Sequence, residues 1–101
     1  MEVHKLEREL VNPDVVALVE QLIRALVDFP DQVRVSTVSG RQAVILEVAV
    51  HPEDVRRIIG KKGRTAEALR EILVNLGSKE GRRYLMEIVE PEGRRPRPLH
   101  D

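Results

Sequence analysis

The sequence predicts an α+β fold of two layers, a three-stranded sheet carrying its helices on one face. Three observations lead there. Apolar residues recur at spacings of three and four in two long segments, one early and one late in the chain. Between and after these segments lie stretches rich in valine and isoleucine that alternate with polar residues. The chain has 101 residues, room for one domain and no more.

The first helix starts at Asn12-Pro13-Asp14, where Asn caps, Pro suits the first turn and Asp favours the positive end of the dipole. Val15, Leu18, Val19, Leu22 and Leu26 form its apolar stripe, which stops at Phe29-Pro30. Val16, Ile23 and Val27 fall off that stripe, and this apolar excess suggests a face covered by a partner. Val33, Val35 and Thr37 then alternate with polar residues. Ser39-Gly40-Arg41 supplies a turn, and Ala43 to Val50 is a nearly continuous apolar run, so the two strands form a hairpin with its second strand buried.

His51-Pro52 ends the hairpin. Pro52-Glu53-Asp54 opens a short helix that closes at Gly60. A further helix begins after Gly63, with Ala66, Leu69, Ile72, Leu73 and Leu76 as its stripe and a C-cap expected at Gly77. Arg83 to Val89 alternates again and makes the third strand. The expected domain is therefore 13–89. Residues 1–12 form a weakly patterned N-terminal extension, and 90–101 a Pro/Arg-rich tail with almost nothing to bury, read as disordered.

Composition narrows the functional classes. The apolar fraction of 42% builds a core, but Phe29 and Tyr84 are the only aromatic residues, so aliphatic side chains must fill it. The absence of cysteine excludes disulfides, thiolate metal sites and cysteine nucleophiles. No segment approaches the eighteen or so apolar residues of a membrane span, and no signal-peptide pattern is visible; a cytoplasmic location with no membrane association is expected. His4, His51 and His100 are scattered, and Glu53-Asp54 is explained by its helix start, so no catalytic centre, metal site, cofactor or small-molecule substrate is expected.

The net charge of zero conceals an asymmetry. Residues 1–31 hold seven acids against three bases, whereas 51–83 hold nine bases against five acids. Arg56 to Arg64 has five bases and no acid. Phosphate attraction is screened beyond roughly 10 Å, so such a local positive face matters more than the overall charge.

That face centres on Ile58-Ile59-Gly60-Lys61-Lys62-Gly63-Arg64. Two glycines three apart carry little weight alone. Here each stands where a helix ends or begins, two aliphatic residues precede them, and both intervening residues are lysines. Gly60 is free to take the left-handed geometry that ends a helix, and neither glycine has a Cβ to hold a polyanion away. Gly63 leads into a helix whose unpaired N–H groups and positive dipole favour phosphate. The loop is not a P-loop, for it lacks the spacing and the Lys-Ser/Thr pair.

The stretch Ile58 to Leu69, IIGKKGRTAEAL, resembles the signature of the KH family: paired aliphatic residues, G-x-x-G with a basic interior, a basic residue and an amphipathic helix. The preceding helix and strand resemble the bacterial (type II) form, and the length and layout are similar to the small single-domain KhpA-type proteins over residues 13–89. That resemblance implies binding of single-stranded RNA, about four nucleotides per domain. It places Ile58, Ile59, Gly60, Lys61, Lys62, Gly63 and Arg64, with Arg57 beside them, at the RNA. It further implies a post-transcriptional or RNA-chaperone role, self-association, and pairing with a second KH-containing protein. The scarcity of aromatics agrees, because RRM and OB modules read bases on aromatic platforms. The rival reading is a protein-interaction or dimerisation scaffold with little RNA binding of its own.

Overall fold

A computed structural model of the chain describes residues 12–89. The expected N-terminal extension and Pro/Arg-rich tail lie outside the described residues, apart from Asn12. The elements run α1 (Pro13–Leu26), β1 (Arg34–Ser39), β2 (Ala43–Ala49), α2 (Val55–Ile59), α3 (Arg64–Glu80) and β3 (Arg83–Ile88). The order and the two-layer α+β architecture are those the sequence predicts. Short 3-10 turns at Pro30–Gln32, Pro52–Asp54 and Lys61–Gly63 join them.

The sheet order is β1-β2-β3, with β1 antiparallel and β3 parallel to the central β2. In register, Val35 faces Val48 and Leu46 faces Met86, which sets every apolar residue of one pleat face against the helices. Val44, Leu46 and Val48 of β2 are buried there with Tyr84 and Met86 of β3, and α3 contributes Ala66, Leu69 and Leu73. Covering a sheet on one side only is what produces the clean alternation of buried and exposed positions along β2 and β3.

Asn12 caps α1 as anticipated, its Oδ1 accepting the Asp14 N–H at 2.9 Å. The buried arc of α1 differs from the predicted stripe. Ile23 is fully buried and Val16 and Val27 pack on the core, whereas Leu18 and Leu26 are about two-fifths exposed, at 40% and 39%. The residues read as a face awaiting a partner thus belong to the core. The helix is apolar over more than half its circumference, so spacing alone does not choose the arc that meets the sheet.

What orients the end of α1 is a buried carboxylate. Asp54, 1% exposed, accepts the N–H groups of Asp28 and Phe29, both at 3.0 Å, one on each oxygen. A charged group buried this deeply requires such partners. Asp54 is therefore a brace between the α1–β1 connection and α2, a role its place at a helix start did not reveal.

The C-cap expected at Gly77 is also corrected. α3 continues to Glu80 and ends at Gly81, which has φ 71°, with the Gly81 N–H donating to Ser78 O and the Arg82 N–H to Gly77 O. This is a Schellman closure with Gly81 at C′. Gly77 is needed for a different reason: a Cβ there would lie 2.3 Å from the Arg82 carbonyl oxygen, where the chain folds back over the helix.

Candidate nucleic-acid interface

Ile58, fully buried, anchors α2 to the core and so fixes where the following loop begins. The helix stops because Gly60 adopts φ 82° and ψ 169°, a region open essentially to glycine alone. Its N–H still donates to Arg56 O at 2.8 Å. Lys61–Gly63 forms one 3-10 turn closed by the Gly63 N–H on Gly60 O at 3.0 Å. Both glycines have positive φ, but their surroundings differ. A Cβ on Gly60 would fall 2.3 Å from Thr65 Oγ1, whereas one on Gly63 (φ 74°) would meet no atom of the described residues within 4 Å. The backbone at Gly63 is thus open to an approaching ligand.

Lys62 sits at φ 57° and ψ 25°, the only non-glycine residue with positive φ among the described residues. Left-handed backbone costs such a residue roughly 1–2 kcal/mol. Lys61 and Lys62 are both exposed and form no ion pair or side-chain hydrogen bond among the described residues. Among the described residues no side chain caps the N-terminus of α3, so the positive end of a 17-residue helix opens on the loop.

From the loop a groove of about 540 Å³ runs between the start of α3 and the end of β3. Ile59, Ala66 and Ile88 give it an apolar lining, and Lys62, Arg64 and Arg70 a cationic rim, with Glu67 and Glu87 the acidic members. Such a groove offers aliphatic contact to a base and cations to its phosphate.

Of the residues expected at the site, Ile59, Lys62, Gly63 and Arg64 line the groove, and Gly60 and Lys61 complete the loop beside it. Ile58 lies beneath in the core. Arg57 turns elsewhere: its Nη2 donates to Asp28 Oδ2 at 3.2 Å, and its Nε lies 3.9 Å from Asp54 Oδ1. The reading of the sequence missed Arg70, Glu67, Glu87 and Ile88. Arg70 and Glu67 share a helical face with Gly63, so periodicity points to them once the loop is identified. Glu87 and Ile88 reach the groove only through the parallel pairing of β3 with β2.

The family profile described as "KhpA/KhpB, KH domain" matches residues 16–88. The RNA-binding protein KhpA of Clostridium acetobutylicum is 46% identical over 72 residues, covering 71% of this chain and 96% of that protein. The RNA-binding protein KhpA of Aquifex aeolicus is 44% identical over 73 residues, covering 72% and 92%, and that of Mycobacterium tuberculosis 42% identical over 78 residues, covering 77% and 94%. No solved structure matches the chain.

Proposed function

The chain belongs to the KH-domain family of KhpA and KhpB, and on that premise we propose that it binds single-stranded RNA, gripping the backbone with the Gly60-Lys61-Lys62-Gly63 loop. The observation that carries this reading is the loop itself: two exposed lysines without partners among the described residues, backbone open at Gly63, and an uncapped helix N-terminus behind them. Each attracts phosphate for a different physical reason, and all three converge beside an apolar-lined groove. The names of the relatives support RNA as the ligand.

In this reading Gly60 and Gly63 bring the RNA backbone close. Lys61, Lys62 and Arg64 neutralise phosphates, while Ile59 and Ile88 contact bases. Arg57 and Ile58 hold the loop in place, Arg57 through Asp28 and Ile58 through the core. One domain holds about four nucleotides, which suits a post-transcriptional regulator or RNA chaperone in the cytoplasm. Dimerisation, with itself or with a second KH protein, raises avidity by presenting two grooves to one RNA.

A scaffold reading has one observation in its favour. Val38, Ile45 and Leu85 stand side by side across the open face of the sheet, with Val38 and Leu85 at 48% and 39% exposure. The two readings part on the lysines, since a scaffold has no use for charge at the loop tip. Fluorescence anisotropy with short single-stranded RNAs tests them. Lys61→Asp with Lys62→Asp leaves the fold intact and removes most of the affinity. With about three phosphates neutralised per groove, the wild-type log affinity falls against log salt with a slope of roughly −2. Unchanged affinity in the double variant, or a slope near zero, overturns the clamp.

A further inference from the structure

We propose that Glu87 reads a base held in the groove, and that the base it selects is guanine. This rests on the RNA reading above and deepens it, from a backbone clamp to a site with a base preference. A groove suited to a polyanion here carries two carboxylates, Glu67 and Glu87, among its lining residues. Glu67 is explained by its own helix. It lies in the first turn of α3, where the positive end of the dipole favours an acid, and Arg64 and Arg70 flank it at spacings of three.

Glu87 has no such support. The parallel pairing of β3 with β2 sets it beside Glu47 on the open face of the sheet, where neighbouring like charges are destabilising. Neither carboxylate forms an ion pair or a side-chain hydrogen bond among the described residues. Ser36 pairs with Glu47 from the β1 side and brings no charge. Arg34, two positions along β1, donates instead to the carbonyl oxygens of Asp31 and Val33. Glu87 thus works against the sheet and against a bound phosphate alike. Positions that break a local rule in this way concentrate at functional sites.

An ionised carboxylate offers two acceptor oxygens and no donor. Phosphate can give it nothing, but the edge of an unpaired base can. Guanine alone presents two adjacent donors on its Watson–Crick edge, N1–H and the N2 amino group, which match the two oxygens in a bidentate pair. Adenine and cytosine each set a ring acceptor beside their amino group, and uracil flanks its single N3–H with carbonyl oxygens. In those three the second carboxylate oxygen meets a lone pair. Ile59 and Ile88 supply apolar surface for the ring in the same groove, and an apolar surround strengthens the hydrogen bonds made there. The paired strand also places the carboxylate more firmly than a loop would.

The test is fluorescence anisotropy with an oligouridylate of about six nucleotides and the same strand carrying one central guanine, inosine or adenine. Wild type binds the guanine strand about tenfold more tightly than the all-uracil strand. Inosine, which lacks the N2 amino group, keeps about threefold of that gain, and adenine less. Glu87→Gln, isosteric and neutral, reduces the guanine preference to about twofold or below. Glu67→Gln removes the same charge from the same groove, so it tightens every strand alike and keeps the preference. Circular dichroism checks both folds, and Glu87→Gln, relieved of Glu47, melts about 1–5 °C above wild type. A wild type with no preference for guanine over uracil, adenine or inosine, or a Glu87→Gln protein that keeps the preference, overturns this proposal and leaves the loop clamp standing. A Glu87→Gln protein that melts below wild type overturns it too, for Glu87 then serves the sheet. Failure of wild type to bind any of the strands overturns the RNA reading itself.

Discussion

Thr65 occupies the space that a side chain on Gly60 would need: an added Cβ falls 2.3 Å from Thr65 Oγ1 and 2.7 Å from the Thr65 backbone nitrogen. The first turn of α3 is therefore packed against the loop that precedes it, and the loop's shape is held from behind as well as by its own dihedral angles.

The two loop glycines are accordingly unequal. Gly60→Ala meets both an unfavourable φ and a collision, and is expected to destabilise the fold by about 2–3 kcal/mol. Gly63→Ala meets only the left-handed backbone and costs about 1 kcal/mol. Urea unfolding of the two variants measures the difference, and equal losses contradict the close approach of Thr65.

Lys62 places the stability of the loop in opposition to its charge. Lys62→Gly relieves a left-handed non-glycine residue and is expected to stabilise the protein by about 1 kcal/mol while weakening RNA binding. Thermal unfolding and anisotropy on the same preparation check both signs. A variant less stable than wild type shows that Lys62 does not hold the positive φ described.

The rotation of α1 is testable by truncation. Ile23→Ala removes a fully buried side chain and is expected to cost about 3 kcal/mol, whereas Leu18→Ala, two-fifths exposed, costs less than about 1 kcal/mol. The reverse order restores the stripe read from spacing.

Alkaline stability reports on Tyr84. Burial first, then its hydrogen bond to the Glu80 carboxylate, raise its hydroxyl from 10.0 to about 12. The unfolded chain ionises this group first, so its stabilising contribution is complete below pH 10 and is lost as pH climbs towards 12. Glu80 behaves oppositely at the acid end. The Tyr84 hydrogen bond, above all, lowers it from 4.5, and its contribution, present above that value, fades as pH falls through the lowered one. Melting temperatures of wild type and Tyr84→Phe across pH 9 to 12 are expected to converge as the tyrosine ionises. Curves that stay parallel remove Tyr84 from the alkaline transition.

The sequence by itself determined the element order, the hairpin, the basic loop and the family, because each is written in neighbouring residues. A cap at Asn12-Pro13, a turn at Ser39-Gly40-Arg41 and a G-x-x-G between aliphatic and helical segments act over a few bonds. Tertiary structure decided the rest, and for one physical reason: burial depends on what lies opposite. An over-wide apolar surface on α1 leaves its rotation open until Asp54 ties down Asp28 and Phe29. Gly77 resembles a cap until Arg82 folds back over it. Glu87 and Ile88 gain a place at the groove only when β3 pairs in parallel with β2, and Arg41 meets Arg82 through that same sheet. Contacts between residues far apart in sequence leave no periodic trace in either segment, so only the assembled sheet and its covering helices set the walls of the groove.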